Sequence, residues 1–308
     1  MKRAASIDIG SNTIRLLIGE ETGAANFRQL DSLRAITRLG EGMDTEKRLL
    51  PHRIDATLKA LAEFRACCQS YGDMPILAVA TSAVREANNR AEFLRRAKEE
   101  AGVEIKIIPW EEEARLTLTG VFQTLPNTGK TALVFDIGGG STEFILCENG
   151  EAVQSVGTRL GVVRLTERFI TKHPVVETEY AALDEFLSHE LGEVKRQLNA
   201  FDPQLTIGTA GTVTTLAAID GNIVPYDPAK IHGYEIPLER IEAIQNRLKS
   251  QTLEQRILLP ALEKGREDLI IAGVAITLNV LKTFSTPLLT VSENGLREGI
   301  LLEALKTA

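Results

Sequence analysis

Short apolar runs recur along the chain, separated by longer stretches in which apolar residues return every three or four positions. The short runs predict strands at 4–9, 14–19, 76–80, 104–108, 131–136, 143–147, 205–207 and 288–291. The longer periodic stretches predict helices at 52–70, 87–101, 111–122, 177–199, 211–219, 237–249, 267–284 and 295–306. Strands and helices alternate, which is the pattern of an α/β architecture. The turn cluster "PNTGK" (126–130) separates a helix from a new strand and places the main boundary near residue 122. The uncharged stretch "LIIAGVAITLNVL" (269–281) is shorter than the ~20 residues a membrane span needs and reads as a buried helix.

An internal repeat lies over this pattern. "IDIGSNTIRLLI" (7–18) aligns without gaps on "FDIGGGSTEFIL" (135–146), with Asp8 on Asp136 and Gly10 on Gly138, 128 residues apart. Each copy reads as a strand, a tight glycine-bearing turn and a second strand. Glycine lets a turn approach an anion closely and aim successive N–H groups at it. A carboxylate at the strand end then carries a cation or positions water. Arg15 in the first copy stands where Glu143 stands in the second. One turn thus offers positive charge and the other negative, which suits a phosphate on one wall and a divalent metal on the other. Two ordinary hairpins would explain either copy alone, since Gly and Asp are common turn formers. Two copies at matched offsets point instead to two half-domains facing each other across a phosphate-binding cleft.

Composition narrows the chemistry. The 308 residues, 44% hydrophobic and 25% charged, suit a soluble globular protein of two domains or one large one. A net charge of −7 argues against a nucleic-acid coat and against a basic membrane-surface protein, so neither partner is expected. A polyanion would need a local site of Arg, Lys, metal and backbone N–H groups. Cys67, Cys68 and Cys147 are odd in number and lack metal-type spacing, and read as reduced thiols. The N-terminus meets an aspartate before a signal-peptide core could form, and a cytoplasmic location is expected. The histidines His52, His173, His189 and His232 have no zinc spacing. "NTGKT" (127–131) has Thr124 where a Walker A motif needs glycine and precedes a strand, and no G-x-S-x-G elbow exists. Oligomeric state stays open, a homodimer included.

Seven segments in order carry a family resemblance: "DIGSNTIRLLI" (8–18), "ATSAVREA" (80–87), "EEEARL" (111–116), "FDIGGGSTE" (135–143), "GTAGTVTTLAA" (208–218), "HGY" (232–234) and "NGLREGIL" (294–301). By these the chain resembles the exopolyphosphatase/guanosine pentaphosphate phosphatase (Ppx/GppA) family of the actin-like ATPase superfamily, in its short, two-domain form. The resemblance implies an α/β fold of two actin-like (ribonuclease H-like) domains with a cleft between them. They would span 1–122 and 123–297, with a C-terminal helix at 298–308 packing back on the first. It also implies a hydrolase that removes the terminal phosphate of inorganic polyphosphate, or the 5′-terminal phosphate of guanosine pentaphosphate, with Mg²⁺ or another divalent cation.

In the family's register the catalytic glutamate falls on Glu113, which would assist the attacking water. Glu111 and Glu112 read as charges favoured at a helix start. Asp136 and Glu143 are candidate Mg²⁺ ligands, directly or through water, with Asp8 as their counterpart in the first turn. Ser11, Asn12, Thr13 and Arg15 would cradle phosphate oxygens from the first turn, and the resemblance adds Arg85. Gly138, Gly139, Gly140, Ser141 and Thr142 would do so from the second. The helix start carrying Gly208, Ala210, Gly211 and Thr212 would hold further phosphates. His232 matches a family position without a role attached. Two alternatives stand beside this reading: an ATP-dependent kinase of the same superfamily, and a non-catalytic sensor of polyphosphate or an alarmone.

Overall fold

The computed structural model describes residues 2–23, 26–126, 130–199 and 203–308. Residues 127–129, in the "PNTGK" turn and the Walker-like "NTGKT", lie outside the described residues. The chain divides into two compact units, Met1–Thr124 with Gly295–Ala308, and Leu125–Asn294.

In the first unit the order is β1 (Arg3–Ile9), β2 (Thr13–Gly23), β3 (Asn26–Ile36), α1 (Met43–Glu46), α2 (Pro51–Ser70), β4 (Ile76–Ala80), α3 (Ser82–Glu86), α4 (Arg90–Ala101), β5 (Ile105–Ile107) and α5 (Trp110–Val121). Its sheet runs β3-β2-β1-β4-β5, with β1, β2 and β3 antiparallel and β1, β4 and β5 parallel. Successive β1 residues face opposite sides, as the period of two requires. Ala5, Ile7 and Ile9 join Leu58, Leu61, Phe64 and Phe93 in one core. Ala4 faces the other way, onto Leu301, Ala304 and Leu305.

In the second unit come β6 (Thr131–Ile137), β7 (Thr142–Glu148), β8 (Glu151–Thr158), α6 (Val162–Phe169), α7 (Glu177–Gln197), β9 (Leu205–Thr209), α8 (Gly211–Asp220), α9 (Pro228–Ile231), β10 (Glu235–Pro237), α10 (Leu238–Lys249), α11 (Leu253–Ile257), α12 (Ile270–Thr283) and β11 (Leu288–Val291). Its sheet runs β10-β11-β9-β6-β7-β8. Read from β8, the order matches the first sheet strand for strand, with β10 added beyond β11. Both units therefore carry the actin-like, ribonuclease H-like arrangement. The stretch expected to be a buried helix is α12, whose residues Ile270 to Leu281 are all buried. No helix among the described residues is long and apolar enough to cross a membrane.

The last helix, α13 (Leu296–Thr307), belongs to the first unit and packs on α5 and β1. The two helices touch backbone to backbone. A Cβ on Gly299 would lie 1.9 Å from the Leu116 carbonyl oxygen, so the site admits only glycine. The structure departs from the sequence pattern in several places. The helix expected at 87–101 begins only at Arg90, as α4, and a separate short helix, α3, ends before it at Glu86, with an extended backbone at Ala87 between them. The strands β3 and β8, each at a sheet edge, and the helix α6 had no sequence signal.

Candidate active site

In each unit the parallel strands end at a common edge, where helix starts and strand-to-helix loops converge. Open α/β sheets bind ligands at that carboxyl edge. In the first unit the Gly10 turn follows β1, Arg85 sits in α3 after β4, and Glu113 sits in α5 after β5. In the second, the Gly138 turn follows β6, Ala210 and Gly211 follow β9, and Ser292 to Asn294 follow β11. Most of the residues singled out in the sequence therefore lie at one of these two edges.

Asp8 faces Arg15 directly across β1 and β2. Burial pushes the Asp8 carboxyl up to about 6, against the pull of Arg15 and then of Arg297, with Glu298 adding to the rise. Both of the latter come from the first turn of α13, where Arg297 pairs with Glu298. Ser11 and Asn12 are buried in the turn. Asn12 Nδ2 donates to Thr13 Oγ1 (3.2 Å), and its buried Oδ1 has no hydrogen-bond partner among the described residues.

Arg85 stands against Glu113. Its Nη1 donates to Glu113 Oε2 (2.8 Å) and to the Ile108 carbonyl (2.8 Å), and its guanidinium lies 3.9 Å over the Trp110 ring. Glu113 is only 4% exposed. The Nε and Nη2 of Arg85 are buried without hydrogen-bond partners among the described residues. Buried guanidinium N–H groups left in that state are costly, and an anionic oxygen relieves the cost. The neighbouring glutamates behave differently. Glu112 makes a two-pronged ion pair with Arg115 (both contacts 3.0 Å), which holds its carboxyl below the usual range, and Glu111 is exposed. Of the three consecutive glutamates, Glu113 alone is buried.

In the second unit Asp136 faces Glu143 across β6 and β7, the register that pairs Asp8 with Arg15 in the first. Glu143 is 3% exposed. Like charges directly opposite each other on a sheet repel, and a shared cation removes the repulsion. Mg²⁺ takes one or two carboxylates and fills its shell with water and substrate phosphates. The Asp136–Glu143 pair fits that donor set, although no group of three or more His, Cys, Asp or Glu could hold a metal among the described residues. The Asp8–Arg15 pair is already matched in charge.

The start of α8 is strained and tightly packed. Ala210 adopts φ 73° and ψ 177°, a region held almost entirely by glycine and concentrated at functional sites. A Cβ on Gly211 would lie 1.6 Å from Arg266 Nη1, so this guanidinium is pressed against the helix N-terminus. Arg266 is 55 residues from Gly211 in sequence, and nothing in the local pattern singles it out. Thr212 is buried behind the turn. Gly208 sits in the ladder between β6 and β11, and its missing side chain makes room for Phe135 and Val213. His232 Nδ1 accepts the Glu293 N–H (3.3 Å), which ties it to the end of β11.

The tetrapeptide T-R-L-G occurs at 37–40, just after β3, and again at 158–161, from the last residue of β8 onward. In each unit it packs behind the glycine turn.

These geometries have close parallels. The model of the Ppx/GppA phosphatase family matches residues 17–308. Exopolyphosphatase 2 of Mycobacterium tuberculosis is 32% identical over 314 aligned positions, covering 98% of this chain and 98% of that protein. A crystal structure of the Ppx/GppA family member of Aquifex aeolicus superimposes with a TM-score of 0.83 at 34% identity, over 99% of this chain and 98% of that one. An exopolyphosphatase from Cytophaga hutchinsonii superimposes with a TM-score of 0.92 at 28% identity, over 100% of this chain and 99% of that one.

Proposed function

Because the chain belongs to the Ppx/GppA phosphatase family, we propose that it is an exopolyphosphatase, hydrolysing the terminal phosphoanhydride of inorganic polyphosphate and releasing orthophosphate. The observation that carries this reading is the pair of matched turns whose cross-strand partners differ in charge, Asp8 with Arg15 and Asp136 with Glu143. One turn is built for an anion and the other for a cation that an anion accompanies.

Each group has a part in the chemistry. Glu113 orients the attacking water and accepts its proton as the new P–O bond forms. The shortened chain departs on the bridging oxygen as the bond from that oxygen to the terminal phosphorus breaks. Arg85 fixes the Glu113 carboxylate through Nη1, while its Nε and Nη2, buried without hydrogen-bond partners among the described residues, would take phosphoryl oxygens. Ser11, Asn12, Thr13 and Arg15 grip phosphate from the first turn, and residues 138–142 from the second. Ala210, Gly211 and Thr212 at the α8 N-terminus, beside Arg266, extend the grip along the chain. Asp136 and Glu143 would hold a divalent cation, Mg²⁺ by the chemistry of the donors, and Asp8 would order water at the first turn. When bound, the cation neutralises charge on the phosphoryl group and helps orient it. Phosphoryl transfer depends mainly on such positioning and charge stabilisation, with little covalent work for the protein.

The test is direct. Purified protein with Mg²⁺ is offered long-chain polyphosphate, guanosine pentaphosphate and ATP in separate reactions, and released phosphate and shortened products are measured. Phosphate released singly from polyphosphate supports the proposal. Turnover of guanosine pentaphosphate alone would move the preference to that substrate. Binding of polyphosphate with no phosphate released would make the protein a sensor.

A further inference from the structure

The second glycine turn is tied down from behind by one short segment. After Thr158 the chain runs through Leu160 and Gly161 straight into α6. Val162 N–H donates to the Gly138 carbonyl (3.1 Å) and Val163 N–H to the Gly139 carbonyl (2.8 Å). The Nε of Arg164, which is 4% exposed, donates to the Gly140 carbonyl (2.8 Å). Three successive carbonyls are thereby drawn onto the first turn of α6, whose leading N–H groups lack acceptors within the helix. These peptides are trans, so each carbonyl opposes the N–H that follows it. The N–H groups of Gly139, Gly140 and Ser141 accordingly face away from α6, in the arrangement that receives an anion. The Thr142 hydroxyl adds a bond to the Leu160 carbonyl, and Thr158 Oγ1 donates to the Thr142 carbonyl (2.9 Å). Gly161 is seated so closely that a Cβ there would lie 2.2 Å from the Gly140 carbonyl carbon.

The first unit restrains its own turn with the same four residue types, here through the N–H groups of the tetrapeptide itself. Gly40 N–H donates to the Ser11 carbonyl (2.7 Å), and the Thr37 and Arg38 N–H groups both donate to the Asn12 carbonyl (3.1 and 3.0 Å). A Cβ on Gly40 would lie 2.6 Å from Ser11 Cβ. The two turns differ in sequence and in charge, yet the same T-R-L-G sequence forms the strap behind each. It serves what the turns share, the outward aim of their peptide N–H groups.

We propose that Arg164 and Gly161 are positioning residues for the reaction, holding the peptides of residues 138–141 so that their N–H groups grip substrate phosphate. The inference rests on the reading of this turn as a phosphate cradle. Arg164 also brings a buried positive charge beneath that cradle, which an uncharged donor would not.

Steady-state kinetics with polyphosphate and Mg²⁺ test it, because KM does not depend on the fraction of enzyme that is folded. Arg164→Gln should raise KM roughly tenfold, the effect of one charge-assisted hydrogen bond, and change kcat little. Arg164→Lys, which keeps the cation, should recover part of that loss. Gly161→Ala should raise KM similarly by displacing the turn. Gly139→Val, which alters the turn itself, separates the two readings. If Gly139→Val raises KM while Arg164→Gln and Gly161→Ala leave it unchanged, the strap proposal fails and the cradle stands. If none of the three moves KM, the cradle reading fails and takes the strap with it. Lower kcat or a lower melting temperature at unchanged KM in the Arg164 and Gly161 variants would show a structural role only and overturn the proposal.

Discussion

Replacing Asp8 with asparagine should make the protein more stable and less active, and the stability gain should depend on pH in a definite way. Burial lifts the Asp8 carboxyl from its ordinary 3.8 to about 6, despite two nearby guanidinium groups. A carboxyl raised on folding binds its proton more tightly in the folded chain than in the unfolded one. The stability this lends is full below the unfolded value and is lost as pH rises through the folded one. Between about pH 4 and pH 8 the loss should approach about 3 kcal/mol, at about 1.4 kcal/mol for each tenfold change in proton affinity. An asparagine side chain at this position has no proton to lose. Guanidinium unfolding of both proteins across this range, with EDTA present to strip divalent cations, should therefore show Asp8→Asn gaining on the parent protein as pH rises. Most of the gain should fall between about pH 4 and pH 6. Phosphate release at neutral pH should fall in the same variant, because the ionised carboxylate that orders water is gone. A stability gap that is flat with pH would refute the reasoning, since burial would then not oppose ionisation. A gap that closes as pH rises would mean that Arg15 and Arg297 outweigh burial.

Other perturbations separate roles that the sequence runs together. Glu113→Gln should lower kcat roughly 10²–10⁴-fold with little change in polyphosphate binding, whereas Glu112→Gln loses only an exposed pair with Arg115 and should leave kcat within about threefold. Removing Arg85, as Arg85→Met, takes one ion-pair partner from the buried Glu113 and should lower both stability in denaturant unfolding and activity. Glu143→Gln should raise the Mg²⁺ concentration needed for half-maximal rate while stabilising the metal-free protein, because it removes the like charge opposite Asp136. An unchanged Mg²⁺ requirement in both Glu143→Gln and Asp136→Asn would exclude the pair as the cation site.

The elements most legible in the sequence were those with strong burial. The β1–β2 and β6–β7 hairpins announce themselves through apolar strands around a glycine turn, and α12 through an unbroken apolar run. The edge strands β3 and β8 were not legible because none of their residues is buried. A strand with no buried face has no strict alternation to read, and polar edges are how sheets avoid pairing with other chains. With β3 and β8 unassigned, the T-R-L-G repeat that follows each of them had no structural context. The Arg85–Glu113 pair was out of reach for another reason. The two residues are 28 positions apart, on the helices that follow neighbouring parallel strands, and only the order β1-β4-β5 brings them together. Gly208 has a packing reason of its own, the room it leaves for Phe135 and Val213, which a sequence motif does not distinguish from a role at phosphate.

On the proposed mechanism the buried glutamate, fixed by Arg85, drives hydrolysis at the end of a phosphate chain. The most direct measurement follows orthophosphate release from long-chain polyphosphate in the presence of Mg²⁺, for the parent protein and Glu113→Gln side by side, with binding of the same polyphosphate measured on both. The parent should release single phosphates steadily, and the variant should bind polyphosphate as tightly but turn it over roughly 10²–10⁴ times more slowly. Full turnover by Glu113→Gln would contradict this mechanism, as would a parent protein that binds polyphosphate and releases none.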